Sequence, residues 1–211
     1  MNGPHRSFSP DARHARAGAL ASAAGAAGAL AARQGSVPPC PSQTLVQPFL
    51  PWHDLGAYFL APGGAFESTP TGWQLAGSAQ VVPGNESSHV NDPSDANSVS
   101  LGNGSSATSP QICVTIHDPN IRLFARNPGS PRSLLQVSIN YTDRRGLART
   151  FRITTLRAAA AWTLSSQIVF IRYIAPVVGG QGQTWVSFTF QPTSGGSWQI
   201  DDFYVDPMKS Q

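Results

Sequence analysis

The chain of 211 residues carries 14 Lys and Arg against 11 Asp and Glu, with 40% hydrophobic and only 12% charged residues. That apolar share suffices for a core and excludes a wholly disordered chain, while no uncharged apolar run is long enough to span a membrane. The net charge of +3 sits in residues 1–36, where Arg6, Arg13, Arg16 and Arg33 face Asp11 alone; residues 37–211 hold ten bases and ten acids. A nucleic-acid partner needs a basic stripe that displaces counterions, and a neutral body without one predicts no such partner.

Arg13, His14 and Arg16 precede an uncharged Ala- and Gly-rich run from Ala17 to Ala32 that ends in Ala29-Leu30-Ala31. A positive start, an apolar middle and an Ala-x-Ala end outline a secretory signal peptide, so residues 1–32 are expected to direct export to the exterior or the cell surface. An Ala-rich helical or unstructured tail is the competing account of the same residues. Residues 33–56, with Pro38, Pro39, Pro41 and Pro48, read as a linker. Cys40 and Cys113 are the two cysteines; in an exported chain they are expected to form one disulfide, the alternative being two buried thiols.

From Ala57 onward the hydrophobic pattern has period two. Trp73–Val82, Gln111–His117, Ile121–Asn127, Leu135–Thr142, Phe151–Thr155, Val186–Gln191 and Ser197–Asp206 are predicted strands with one face on a core. Gln167–Ile174 is apolar on both faces, as a central strand would be. The best helix candidate is Thr155–Trp162, worth one short turn. Between Pro83 and Pro110, 21 of 28 residues are Pro, Gly, Asn, Asp, Ser or Thr, so a long loop is expected there, with Val99 and Leu101 marking a short strand inside it. Many short strands separated by turn formers describe an all-β antiparallel sandwich over residues 57–207, followed by a tail at 208–211.

Signatures of chemistry are sparse. There is no G-x-S-x-G, H-E-x-x-H or C-x-x-C. Gly102-Asn103-Gly104-Ser105-Ser106-Ala107 matches G-x-G-x-x-A, but Pro110 follows closely and no helix can start there to hold a pyrophosphate. His53, His89 and His117 lack any spacing that would mark one as a base, and a small hydrolase ranks last among the functions considered. The most informative site is Asp201-Asp202, which interrupts Trp198-Gln199-Ile200 and Phe203-Tyr204-Val205. Strand alternation places Asp202 with Trp198, Ile200 and Tyr204, and Asp201 with Phe203 and Val205, so one carboxylate points at the core. A buried carboxylate is costly without a partner, and Arg122, Arg126, Arg152, Arg172, backbone amides or a cation are the candidates.

Gly63-Gly64-Ala65-Phe66-Glu67, Gly72-Trp73 and the closing Trp198-x-Ile200-Asp201-Asp202-Phe203 resemble the end motifs of galactose-binding-like jelly rolls, a group that includes carbohydrate-binding modules of glycosidases; the chain also resembles secreted proteins of GC-rich bacteria that share the closing motif. The resemblance implies an antiparallel jelly-roll β-sandwich and a non-catalytic module. It also implies a structural calcium held by Glu67 and Asp201 where the two ends of the domain meet. Modules of this kind bind sugars on aromatic platforms. Trp73 and Trp198 are assigned to the core; Trp185, on the polar side of its strand, is the best exposed candidate, followed by Trp52 and Trp162. Packing under a loop is the ordinary alternative for each of these three. The expected partner is a polysaccharide or cell-surface glycan, the alternative being a structural or protein-interaction domain without a sugar site.

Overall fold

The computed structural model describes residues 39–207 except Thr69 and Thr71; the proposed signal segment, the start of the linker and the tail from residue 208 lie outside the described residues. Thirteen strands, β1 to β13, follow in chain order: Phe59–Leu60, Gln74–Ala76, Gln80–Pro83, Asn97–Leu101, Ser106–Thr108, Ile112–Thr115, Asn120–Arg126, Leu134–Thr142, Ala148–Leu156, Thr163–Leu164, Ile168–Val169, Gln183–Thr193 and Trp198–Asp206. One helix, α1 at Ile171–Gln181, precedes β12. Seven strands form one sheet in the order β10-β7-β13-β4-β3, with β1 also on β13 and β11 also on β7. Six form the other in the order β2-β5-β12-β8-β9, with β6 also on β12. The strand pairings among the described residues are antiparallel. The all-β jelly-roll sandwich expected from the sequence is therefore the fold.

The core lies between the two sheets. Phe188 and Phe190 from β12 meet Phe203 of β13 edge-to-face at centroid separations of 5.5 and 5.3 Å. Phe66 and Trp73 close one end 4.7 Å apart. Trp73 and Trp198 are buried as assigned, and each indole N–H donates a hydrogen bond, to the Pro62 carbonyl and the Ser133 hydroxyl respectively. Buried indoles take such partners because an unsatisfied donor costs more than the bond returns.

Two expected elements exchange roles. Thr155–Trp162 contains no helix, and Gln167–Ile174 is not a central strand: only Ile168 and Val169 pair, with β7, before the chain turns into α1. A short apolar run cannot distinguish a buried strand from a buried helix face. Here Ile174 and Val178 of α1 face the core, and from Ile171 onward the chain is helical.

The stretch expected as a linker also packs once it enters the described residues. Val46 and Tyr58 exchange backbone hydrogen bonds of 2.9 and 2.8 Å, and a 3-10 turn at Leu50–Trp52 follows a fully buried Phe49. Phe49, Tyr58, Phe124 and Tyr204 form a small second cluster beside β7 and β13. Arg122 lies 4.8 Å over the Phe49 ring and pairs with Asp54 at 2.6 Å, while the Tyr58 hydroxyl donates to the same carboxylate. Arg122 is thus engaged with Asp54 rather than with the closing aspartates. Cys40 and Cys113 are joined in a disulfide, which ties this opening stretch to β6.

Candidate functional site

The closing strand carries the acidic pair, and its geometry differs from simple alternation. The β13–β7 register shifts between Asp201 and Tyr204, and Asp202 has a left-handed φ of 47°. Such a bulge changes the phase of the strand. Before it Trp198 and Ile200 face the core; after it Phe203 and Val205 do, and Tyr204 joins the second cluster. The expected grouping of Tyr204 with Trp198 and Ile200 is thereby corrected. Both aspartates are fully buried instead of one.

The two ends of the domain meet at this bulge, as the motifs implied. The Ala61 amide donates to the Phe203 carbonyl at 2.9 Å and the Phe203 amide to the Gly64 carbonyl at 3.1 Å. Gly64 is required by this approach, since a Cβ there would lie 2.8 Å from the Phe203 carbonyl oxygen and 2.9 Å from that of Ala61. The loop before β4 covers the pair from the other side. Asp201 accepts hydrogen bonds from the backbone amides of Glu86 and Asp202, both at 2.9 Å. Glu86, fully buried, accepts from the Ser88 and Val90 amides at 2.6 Å each. Glu67 accepts from the Ala96 and Asn97 amides at 2.8 and 2.9 Å. Asp95 is buried and takes the Asn91 side-chain amide at 2.8 Å.

Asp202 is the exception. Neither of its buried carboxylate oxygens has a hydrogen-bond partner. Burial pushes its pKa up to about 7, helped by the charges of Glu86, Asp95 and Glu67; the Asn91 backbone amide opposes this without reaching hydrogen-bonding geometry. Asp201 is raised as well, first by burial and then by the charge of Asp202, against the pull of its two amide donors. Among the described residues the two ion pairs are Arg122–Asp54 and Arg149–Asp143, so no cationic side chain compensates the five carboxylates. Arg126 bonds the Gln199 side chain and stacks 5.0 Å over Trp162, and Arg172 bonds the Tyr173 hydroxyl. Glu67 and Asp201, the pair implied as calcium ligands, spend oxygens on backbone amides; the carboxylate without donors is their neighbour Asp202. No three His, Cys, Asp or Glu side chains among the described residues are arranged as a set to hold a metal ion.

The three tryptophans singled out as platforms are not brought together. Trp52 sits in the 3-10 turn against Phe49 and Phe124, at 6.4 and 5.5 Å, and Trp162, half-buried, packs on the same small cluster under Arg126. Both belong to the side of the seven-stranded sheet. Trp185 stands on the six-stranded sheet, 46% exposed, beside Val186, Phe188 and Phe190, which point inward. Register extends its outward face. Cys113 pairs with Trp185, Asn140 with Ser187, Ser138 and Thr108 with Thr189, and Gln136 with Gln191. The Asn140 side-chain amide donates to the Ser187 and Thr189 hydroxyls at 3.3 and 2.9 Å, and its carbonyl accepts from the Thr150 hydroxyl at 2.8 Å. Arg152, opposite Ser138, completes the row. The result is a sheet face of hydroxyls and amides with one broad indole near its end. The sequence identified Trp185 through its register; the Asn140 network farther along the same face depends on pairing between strands and had no local signature.

His53, His89 and His117 are all exposed. No helix among the described residues is long and apolar enough to cross a membrane.

No family model and no curated protein matches the chain. Solved structures do. The tandem CBM22-1–CBM22-2 domain of Paenibacillus barcinonensis Xyn10C superposes with a TM-score of 0.51 at 13% identity, over 74% of this chain and 47% of that one. The CBM22-1–GH10 modules of Clostridium thermocellum xylanase Xyn10B, complexed with xylohexaose, give 0.50 at 13% identity over 70% of this chain and 28% of that one. The single CBM22-1 xylan-binding domain of the Paenibacillus enzyme gives 0.49 at 14% identity over 70% and 94%. This chain thus spans less than half of the two longer proteins. At such identities the likeness is one of fold alone: the chain has a jelly-roll β-sandwich like that of these carbohydrate-binding modules.

Proposed function

We propose that the chain is an exported, non-catalytic module that binds polysaccharide on the outward face of its six-stranded sheet. The observation that carries this reading is Trp185, a large indole 46% exposed at the end of a row of hydroxyl and amide side chains. An indole face packs on the C–H face of a pyranose ring, and neighbouring amides and hydroxyls supply directional hydrogen bonds, the usual division of labour in a sugar site. The Asn140 network holds its polar groups in fixed positions, so less side-chain freedom is lost on binding. The shared fold supports the polysaccharide class without selecting a sugar. Retention on insoluble and soluble polysaccharides tests the reading: the protein is retained by at least one, and W185A abolishes retention without lowering the melting temperature. Equal retention of W185A would overturn the platform.

The same reading includes a structural calcium at the acidic bulge, where Glu67 and Asp201 were implied as ligands; as they stand the carboxylates form no ready three-ligand set, so the ion would enter at Asp202 and draw its neighbours in. What supports it is a buried, donor-free carboxylate with four more around it, none of them in an ion pair among the described residues. The ion would neutralise this cluster and join the opening segment, the covering loop and the closing strand.

A further inference from the structure

All nine arginines of the described residues fall between Arg122 and Arg172, and from Pro119 to Ile200 the single acid is Asp143. The neutral composition of the body therefore conceals a segregation of charge along the chain, and the β8–β9 hairpin concentrates it in space. Its turn carries Arg144 and Arg145, whose guanidinium groups have no hydrogen bond or ion pair with a described residue. Arg149 follows on β9 and pairs with Asp143 at 2.7 Å. These side chains line a recess of about 250 Å³ together with Tyr141, Pro176 and Val177. Arg144 lies against the end of α1 because Gly180 has no side chain; a Cβ there would collide with the guanidinium.

Beside the recess stand three rings. Tyr141 stacks on Phe151 with centroids 6.0 Å apart and planes 20° from parallel, and Phe151 leans on Tyr173 at 6.0 Å. Hydrogen bonds fix the set: the Tyr141 hydroxyl donates to the Tyr173 carbonyl, and the Tyr173 hydroxyl to the Ile153 carbonyl. Arg172 lies 4.9 Å over the Tyr173 ring. Phe151 is 41% exposed and Leu147 50%, so the patch presents apolar surface as well as charge.

We infer that this hairpin edge is a binding site for an acidic polysaccharide, one whose sugar rings carry carboxylate groups. Guanidinium groups match carboxylates in a bidentate fork, and an exposed ring such as Phe151 offers an apolar contact for a pyranose. Four arginines against one aspartate give a local positive field rather than a track. Arg152 projects to the opposite face of β9, with Ser138, so the cluster does not extend into the run of phosphate contacts that a nucleic acid uses. The inference does not rest on the Trp185 reading. Tyr141 and Phe151 share the inward side of the sheet with Ile139, whereas Trp185 points outward.

Affinity electrophoresis of the full chain through gels containing polygalacturonate tests it, with carboxyl-reduced polygalacturonate as the neutral counterpart. The protein is expected to be retarded by the acidic polymer and not by the reduced one. R144E/R145E, which alters two exposed side chains, weakens retention at least about tenfold and keeps the wild-type melting temperature. F151A weakens it less, with an unchanged dependence on salt. No retardation, equal retardation by the reduced polymer, or an R144E/R145E variant that behaves as wild type would each overturn the inference. Tighter binding of a single-stranded DNA than of polygalacturonate would overturn the commitment to a glycan. Failure of neutral polysaccharides alone would count against the Trp185 face and leave this site standing.

Discussion

Replacing Asp202 by Asn removes a charge while preserving shape, at the one carboxylate of the acidic bulge whose oxygens receive no donor. Its pKa rises from the ordinary 3.8 to about 7 on folding, chiefly through burial. A pKa raised in the folded state means that the native protein favours the proton. Stability from this group is full at pH below about 4 and is lost as pH climbs through about 7. At about 1.4 kcal/mol for each pKa unit, the ionised group costs roughly 4 kcal/mol at pH 8. For a domain of this size that corresponds to roughly 8–16 °C in melting temperature. In a chelating buffer, D202N is therefore expected to melt above the wild type at pH 8 and close to it at pH 5. The wild type should lose stability between pH 5 and pH 8, and the variant should lose less. Scanning calorimetry at both pH values, with and without calcium, reads all four states. Calcium should raise the wild-type melt at pH 8 and leave D202N unmoved. A variant less stable than the wild type at pH 8 in chelator would refute the electrostatic argument. A wild type indifferent to calcium would remove the ion and leave the burial cost unrelieved.

Two further outcomes follow from the fold. Thiol titration of the denatured, unreduced protein should find no free sulfhydryl at Cys40 or Cys113; reduction should lower stability by roughly 4 kcal/mol, from the loop of 73 positions that the bridge closes, and an unchanged denaturant midpoint would contradict that. F203A removes a ring that touches Trp73, Phe188 and Phe190, and about 3–5 kcal/mol of stability should go with it; a loss below about 1 kcal/mol would mean that the core collapses around the gap.

Strand alternation made most of the sandwich legible, because residues such as Val186, Phe188 and Phe190 must face a core in any strand they form. The same rule misplaced Tyr204, since a bulge depends on the partner strand and on the left-handed backbone of Asp202 rather than on polarity. Apolar content alone could not tell a strand from α1 at residues 167–174. The packing of the stretch from Cys40 to Gly56 had no local signal, because Phe49 is buried against Phe124 and Tyr204, on elements distant in sequence.

By itself the sequence determined the all-β class, the two cysteines as the one available pair and the outward register of Trp185, each from local period, residue type or count. The burial of Trp73 and Trp198 and the meeting of the domain's two ends near Glu67 and Asp201 were implied by the resemblance of the end motifs. Tertiary structure alone decided which carboxylate lacks a donor, how Asn140 ties together the sheet face that Trp185 ends, and that α1 comes to lie beside Arg144, Arg145 and Arg149. The physical reason is common to all three. Hydrogen bonding and electrostatics are set by distances between groups that chain separation does not constrain, and these distances exist only once the two sheets have closed on each other.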